Sequence, residues 1–210
     1  MAIEYPRSFP QELKIRSVKL RIERYVKRTF LRSGYAQTVE IAPARWVGEW
    51  VTPPLTGDQN DVIMTWLDTL RGGMQMFYGA DPSRARPIAH PNGISGWNGS
   101  ATVTGREDFT IAFGGVPNAL RLNPGDMLHM AKGVSGVMHV GLHRVTEAAT
   151  ASGGAISVAV EPAVNKDVFT VDTAATFYNP CALFILDPDS IEGSKSIDFD
   201  AISFSATQVI

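Results

Sequence analysis

Residues 46–81 read WVGEWVTPPLTGDQNDVIMTWLDTLRGGMQMFYGAD, and the order of elements in this stretch decides the fold. Arg45–Thr52 is a β-prone run with Trp46 and Trp50 on the opposite side of the pleat from Val47 and Val51. Pro53-Pro54 stops it, because proline donates no ladder hydrogen bond. Thr56 is placed to cap a helix, and Gln59, three residues on, completes a capping box. Val62, Ile63, Trp66, Leu67 and Leu70 then recur at helical spacing and form one apolar stripe. Gly72-Gly73 supplies the left-handed backbone on which helices end. Met74–Gly79 follows as a short aromatic strand, closed by Asp81-Pro82.

On either side of this stretch the pattern is β. In Ser17–Val26 (SVKLRIERYV), Val18, Leu20 and Ile22 alternate with Lys19, Arg21 and Glu23, which predicts a half-buried strand with one charged face. Gln37–Ile41 reads as a separate strand. Ser83–Trp97 is rich in Pro, Gly, Arg and Asn and reads as a linker. From Thr102 to Tyr178 short strands alternate with turns. Leu120–Leu122 runs into Asn123-Pro124-Gly125-Asp126, where Gly125 accepts the positive φ of a type II bend. Met127–Met130, His139–Val145 and the alternating Ile156, Val158 and Val160 are further strands, with a turn at Ala151–Gly154. This strand density predicts a small sandwich or barrel. Ala182–Leu186 and Ile197–Val209 read as strands that rejoin the first body. The expected organisation is residues 1–85 with 180–210 as one domain and 86–179 inserted into it.

Composition narrows the function classes. Charged residues make up 19%, below the usual quarter, which suits a chain that hides surface against copies or partners. The formal net charge of -2 gives no global case for nucleic-acid binding. The distribution is uneven. Residues 1–32 hold nine Lys/Arg against three Glu, and residues 187–200 hold five acids against one Lys. Either the two ends pair or form solvated faces, or the basic segment lines a subunit interface or a ring lumen. The single cysteine, Cys181, allows no internal disulfide and no multi-thiolate metal site. No run is long enough to span a bilayer. The start, MAIEYPRSFP, lacks the pattern of a secretory signal, so synthesis and folding in the host cytosol are expected.

Candidate chemistry is thin. His139 and His143 share a face of their strand, since a spacing of four keeps parity, but no third ligand accompanies them at a zinc spacing. His129 reads as a barrel-rim residue and His90 as a linker residue. Asp187-Pro188-Asp189 reads as a turn rather than an acid–base pair. Ser135-Gly136 and Ser152-Gly153 lack the context of a nucleophile elbow. The glycine pairs do not match a phosphate-cradling loop. Cys181 reads as a buried thiol. No catalytic residue, cofactor-binding residue or metal ligand is assigned, no cofactor is expected, and the chain is not expected to be an enzyme.

The segment 46–81 resembles the first domain of bacteriophage distal tail proteins: a Trp-bearing strand, a Pro-Leu-Thr entry, a helix with a central aromatic, a Leu-Arg-Gly stop and an aromatic strand ending Gly-x-Asp-Pro. Residues 122–145, LNPGDMLHM followed by GLHRVT, are similar to that family's second domain. The ending DAISFSATQVI looks like its last strand. The likeness covers about three quarters of the chain, and the basic segment around Ser17–Arg32 has no counterpart in it. It implies a mainly β fold: a ring-forming β-sandwich domain with one helix, plus an inserted small, OB-like β-barrel. It further implies a structural virion protein, a hexameric ring at the tail tip joining the tail tube to the hub, the tape measure protein and a fibre or receptor-binding protein. A basic lumen would then lie near DNA without reading its sequence, and no membrane insertion is expected. Two alternatives stay open at this level. One is another tail element, such as a tube, terminator or hub-associated protein. The other is a carbohydrate-binding module or hydrolase at the tip, for which Trp97 is the one aromatic candidate; its competing role is packing between domains.

Overall fold

A computed structural model describes residues 3–10, 14–193 and 201–209. The chain opens with β1 (Ser17–Phe30) and β2 (Ala36–Val51), then α1 (Gly57–Thr69) and β3 (Met76–Ala80). The middle of the chain supplies β4 (Ser100–Arg106), β5 (Thr110–Gly114), β6 (Arg121–Leu122), β7 (Met127–Val134), β8 (Val137–Val145), β9 (Ala149–Thr150), β10 (Ala155–Glu161) and β11 (Ala174–Thr176). β12 (Cys181–Leu186) and β13 (Ser203–Gln208) end it. β1-β2-β13-β12-β3 form a five-stranded antiparallel sheet, and β10-β5-β4-β11-β7-β8 close into a barrel. β6 and β9 pair separately. Of the expected run Ile197–Val209, Ser203–Gln208 forms a strand, and Ile197–Asp200 lie outside the described residues.

Alternation gives the five-stranded sheet one apolar face. Val18, Leu20 and Ile22 stand opposite Trp50, Gly48 and Trp46 in register. Phe204 and Ala206 continue the face on β13, and Phe184 on β12. Ile63, Trp66 and Leu67 of α1 cover it, together with Phe9 of the N-terminal segment. The rings interlock: Trp50 stacks on Phe204 at 5.6 Å and meets Phe184 edge-on at 5.1 Å, and Trp66 meets Phe77 edge-on at 5.3 Å. Such pairs each add about 0.5–1.5 kcal/mol beyond area burial. Gly79 is required here, because a Cβ would lie 2.5 Å from the Phe184 ring.

The capping box forms as expected: Thr56 Oγ1 accepts from the Gln59 amide at 3.4 Å, and Gln59 Oε1 accepts from the Thr56 amide at 3.1 Å. The helix stop differs in detail. Leu70 is the C-cap, and the first left-handed residue is Arg71 (φ 53), one position before Gly72. Gly73 (φ 89) is held by contact as well as by conformation, since a Cβ there would lie 2.6 Å from the Leu186 carbonyl oxygen.

β2 is one strand of sixteen residues, not the two separate runs Gln37–Ile41 and Arg45–Thr52. Pro43 does not break it because it falls at a bulge: Glu23 pairs with Arg45, yet Tyr25 pairs with Ala42. The ladder is interrupted where proline has no proton to give. β1 likewise continues four residues past Val26. β3 begins at Met76, two residues after the expected Met74.

The barrel is filled by side chains such as Val103, Ile111, Phe113, Leu128, Met130, Val158 and Phe177, all fully buried. The Asn123–Asp126 turn forms as expected, with Gly125 at φ 95 and the Asp126 amide bonded to the Asn123 carbonyl at 3.0 Å. Of the expected strand Leu120–Leu122 only Arg121 and Leu122 join a ladder. The linker wraps the barrel rather than hanging free: Ile88 N donates to Asp126 Oδ1 at 2.7 Å and Ile94 N donates to the Tyr178 hydroxyl at 2.7 Å.

Barrel and sheet share core. Met127 and Leu142 pack into the sheet's apolar cluster. Trp46 Nε1 donates to the Leu142 carbonyl at 2.7 Å, and Gln208 Nε2 to the Val140 carbonyl at 3.3 Å. The Arg144 guanidinium lies 4.7 Å above the Trp46 ring and donates to the Leu20 carbonyl at 3.2 Å.

Candidate functional site

The titratable side chains singled out from the sequence are absorbed by structure. β7 and β8 pair with Leu128 opposite His143 and Met130 opposite Gly141, so His139, Gly141 and His143 share the inward side of β8. The shared face of the two histidines is therefore real. Among the described residues, however, no group of three or more His, Cys, Asp or Glu is placed to hold a metal ion. His143 is buried, and its Nδ1 donates to the Pro162 carbonyl at 2.9 Å. Its Nε2 is buried with no hydrogen-bond partner. Burial pushes its pKa down to about 4, against the pull of the Pro162 bond.

His129 sits on the outward side of β7 and accepts from the Cys181 amide at 3.2 Å, joining barrel to sheet; burial lowers its pKa to about 4. His90 accepts from the Arg121 amide at 3.0 Å. Burial pushes the Cys181 thiol up to about 11, which keeps it protonated and a poor nucleophile near neutrality. Asp187 and Asp189 belong to a short 3-10 turn in which Ser190 Oγ donates to the Asp187 carbonyl at 2.6 Å. Asp126 has more structural weight than the sequence suggested. It is 1% exposed and accepts from Ile88 N and Asn123 N, each at 2.7 Å, so it pins linker and turn together. Trp97 packs against Phe177 at 5.8 Å and Tyr178 at 5.2 Å, and its Nε1 donates to the Ser100 carbonyl. Its ring is committed to the barrel end rather than presented as an open platform.

The surface is more telling. Beyond the bulge at Glu23/Tyr25, β1 and β2 leave the sheet as a two-stranded arm closed by the turn Leu31–Tyr35. Every residue from Arg24 to Ile41 is exposed, including Phe30 at 71% and Tyr35 at 75%. Arg24 anchors the root of the arm to Glu161 of the barrel at 2.7 Å, a half-exposed pair worth little in stability but defining in direction. A hollow of about 640 Å³ lies under the root, between Glu40–Ala44 and the barrel loop Pro162–Asp167.

The two edges of the sheet differ. The outer edge of β3 is occupied at its middle by the N-terminal segment: Arg7 N donates to the Met76 carbonyl at 3.1 Å, and Tyr78 N to the Arg7 carbonyl at 2.8 Å. β1 forms the opposite edge and pairs only with β2 among the described residues.

Sequence reading missed the apolar side chains of the arm. A signal was present: Val26, Phe30, Leu31, Tyr35, Val39 and Ile41 surround the turn residues Arg32-Ser33-Gly34, and the register puts Val26 and Phe30 on one face of the ribbon and Val39 on the other. Apolar residues on both sides of a ribbon mean that no single core claims them.

No helix among the described residues is long and apolar enough to cross a membrane. No protein-family model matches the chain, and no curated protein matches it.

Proposed function

We propose that this chain is a structural protein of a long-tailed phage virion, assembling as a hexameric ring at the distal end of the tail. On this reading the five-stranded sheet with its helix is the ring-forming, sandwich-type domain, and the closed barrel is the peripheral, OB-like domain. The barrel is closed and has six strands where an OB-fold has five and is partly open, so the likeness is to a small β-barrel in general. The ring would join the tail tube above to the hub, tape measure protein and fibre below.

One observation carries the assembly reading: a ribbon of consecutive exposed residues bearing aromatic and aliphatic side chains on both faces. A lone two-stranded ribbon is marginal in water, and clustered exposed apolar surface marks a place where another protein sits. Head-to-tail contacts close a ring of six when each copy is rotated by roughly 60° from the last.

Light scattering on the purified chain, with negative-stain imaging, tests the reading. The expected particle has six times the 22.8 kDa chain mass and a central hole. A chain that stays monomeric alone and also forms no ring on a tail tube would overturn it.

A further inference from the structure

The exposed arm is positively charged. Residues 24–41 carry Arg24, Lys27, Arg28 and Arg32 against Glu40 alone, an excess of three cations on a chain of net charge -2. The rest of the chain therefore carries five net negative charges. Part of that charge lies on α1, whose sequence GDQNDVIMTWLDT holds Asp58, Asp61 and Asp68 and no cation. All three aspartates are on its exposed side.

The same side of α1 borders a groove of about 520 Å³ between the helix and the N-terminal segment. Its walls are mainly apolar, with Ile3, Pro10, Val62 and Trp66, and also hold Asp61 and Arg7, whose guanidinium is committed to the Thr69 hydroxyl. Val62 is 45% exposed and Ile3 50% exposed on its rim. An apolar trough beside the exposed carboxylates of Asp58 and Asp68 is the complement of an aromatic tip flanked by guanidinium and ammonium groups.

The simplest alternative, extension of the sheet from β1 of one copy to β3 of the next, is opposed by the backbone. Arg7 already occupies β3 at Met76 and Tyr78. Sheet extension there would have to displace two backbone hydrogen bonds, which favours a contact made by side chains.

We propose that the tip of the β1–β2 arm, led by Phe30, Leu31 and Tyr35, docks head to tail into the groove between α1 and the N-terminal segment of a second copy. This deepens the ring reading and rests on it only for the number of copies. Apolar burial at the tip supplies the attraction, and Lys27, Arg28 and Arg32 facing the helix carboxylates set the orientation.

Two variants test it. Phe30→Asp with Tyr35→Asp disables the tip. Val62→Arg with Asp58→Lys disables the groove. All four side chains are exposed, so circular dichroism should match wild type, with a Tm lower by a few degrees for the groove variant because Asp58 is the acid of the first turn of α1. Light scattering across concentration is expected to show each variant alone weakened about a hundredfold, as expected for losing a buried aromatic anchor. An equimolar mixture should give a heterodimer and nothing larger, because only one intact tip and one intact groove remain. Raising salt from about 50 to about 500 mM should weaken wild-type association about tenfold. As a cross-linking trap that leaves Phe30 and Leu31 in place, a Tyr35→Cys chain mixed with a Val62→Cys chain should form a disulfide-linked heterodimer.

The docking is overturned if the groove variant associates like wild type, if the mixture stays monomeric, or if wild type is monomeric up to about 1 mM. The two readings separate cleanly. A wild-type dimer lost in both variants keeps the docking and removes the six-copy ring. A wild-type hexamer retained in both variants keeps the ring and removes the docking.

Discussion

Lowering the pH from 7.5 to 5 should destabilise this protein through His143, before most carboxylates titrate. The imidazole is fully buried inside the barrel, where burial brings its pKa to about 4. In the unfolded chain it returns to its ordinary value of about 6.5. The folded value is depressed, so the stability tied to the neutral ring is complete above pH 6.5 and is lost as pH falls toward 4. Between pH 7.5 and 5 the unfolded chain binds close to one proton that the folded chain refuses, which removes about 2 kcal/mol. For a chain of this length that is about 4–8 °C in Tm. His129, half-buried and lowered to about 4, adds a loss of the same sign.

The assay is thermal melting at half-unit pH steps for wild type and His143→Asn. Asparagine keeps a donor for the Pro162 carbonyl but cannot titrate. The variant should be less stable at pH 7.5, because the smaller side chain leaves a gap. Its pH slope should be shallower by about 2 kcal/mol over the same window, the remaining slope belonging to His129. Equal slopes for the two proteins would refute the reasoning, as would an NMR titration placing the His143 ring near 6.5.

Other expectations follow from the joint between barrel and sheet and from the turns. Trp46→Phe removes the indole donor to the Leu142 carbonyl and much of the surface beneath Arg144. It should cost about 1–3 kcal/mol in urea denaturation, and separate unfolding transitions for barrel and sheet would show that this joint couples them. Gly73→Ala places a methyl 2.6 Å from the Leu186 carbonyl at φ 89. A loss well above 1 kcal/mol is expected, and a Tm equal to wild type would contradict the geometry. Cys181, with its thiol pushed up to about 11 by burial, should react with a disulfide reagent at pH 8 at least tenfold more slowly in the folded protein than in urea. Equal rates would show that the thiol is open to solvent.

Local chemistry explains what was legible from sequence. The capping box at Thr56 and Gln59, the helical stripe through Ile63, Trp66 and Leu67, and the Asn123–Asp126 bend each depend on residues within a few positions of one another. Neighbours in sequence are neighbours in space at that scale. Strand boundaries were less legible. Gln37–Ile41 and Arg45–Thr52 read as separate strands, yet they join in β2, with Pro43 between them, because a bulge opposite Glu23 and Tyr25 leaves the proline nitrogen without a ladder role. The C-terminal end of α1 was read from Gly72, whereas Arg71 already adopts the left-handed backbone, held by the turn that follows.

The polar candidates divide in a similar way. Parity alone placed His139 and His143 on one face, and β8 keeps them there. It carried no information about depth, and depth makes the His143 ring neutral and leaves its Nε2 unpartnered. Asp126 looked like an ordinary turn residue; only the wrapped linker, donating from Ile88, reveals it as a buried anchor.

By itself the amino-acid order determined the local units: one capped helix, alternating strands, and the turns between them. Those choices follow from backbone dihedrals and side-chain periodicity over a handful of residues. The tertiary structure alone decided which strands became neighbours, with β13 inserted between β2 and β12 across more than a hundred residues. It also decided which alternating run would find a core to cover it. The first half of β1 lies against Trp46 and Trp50, while the second half, equally strand-like, projects with its aromatic residues uncovered, because burial is settled by what packs opposite a face and no short stretch of chain encodes that.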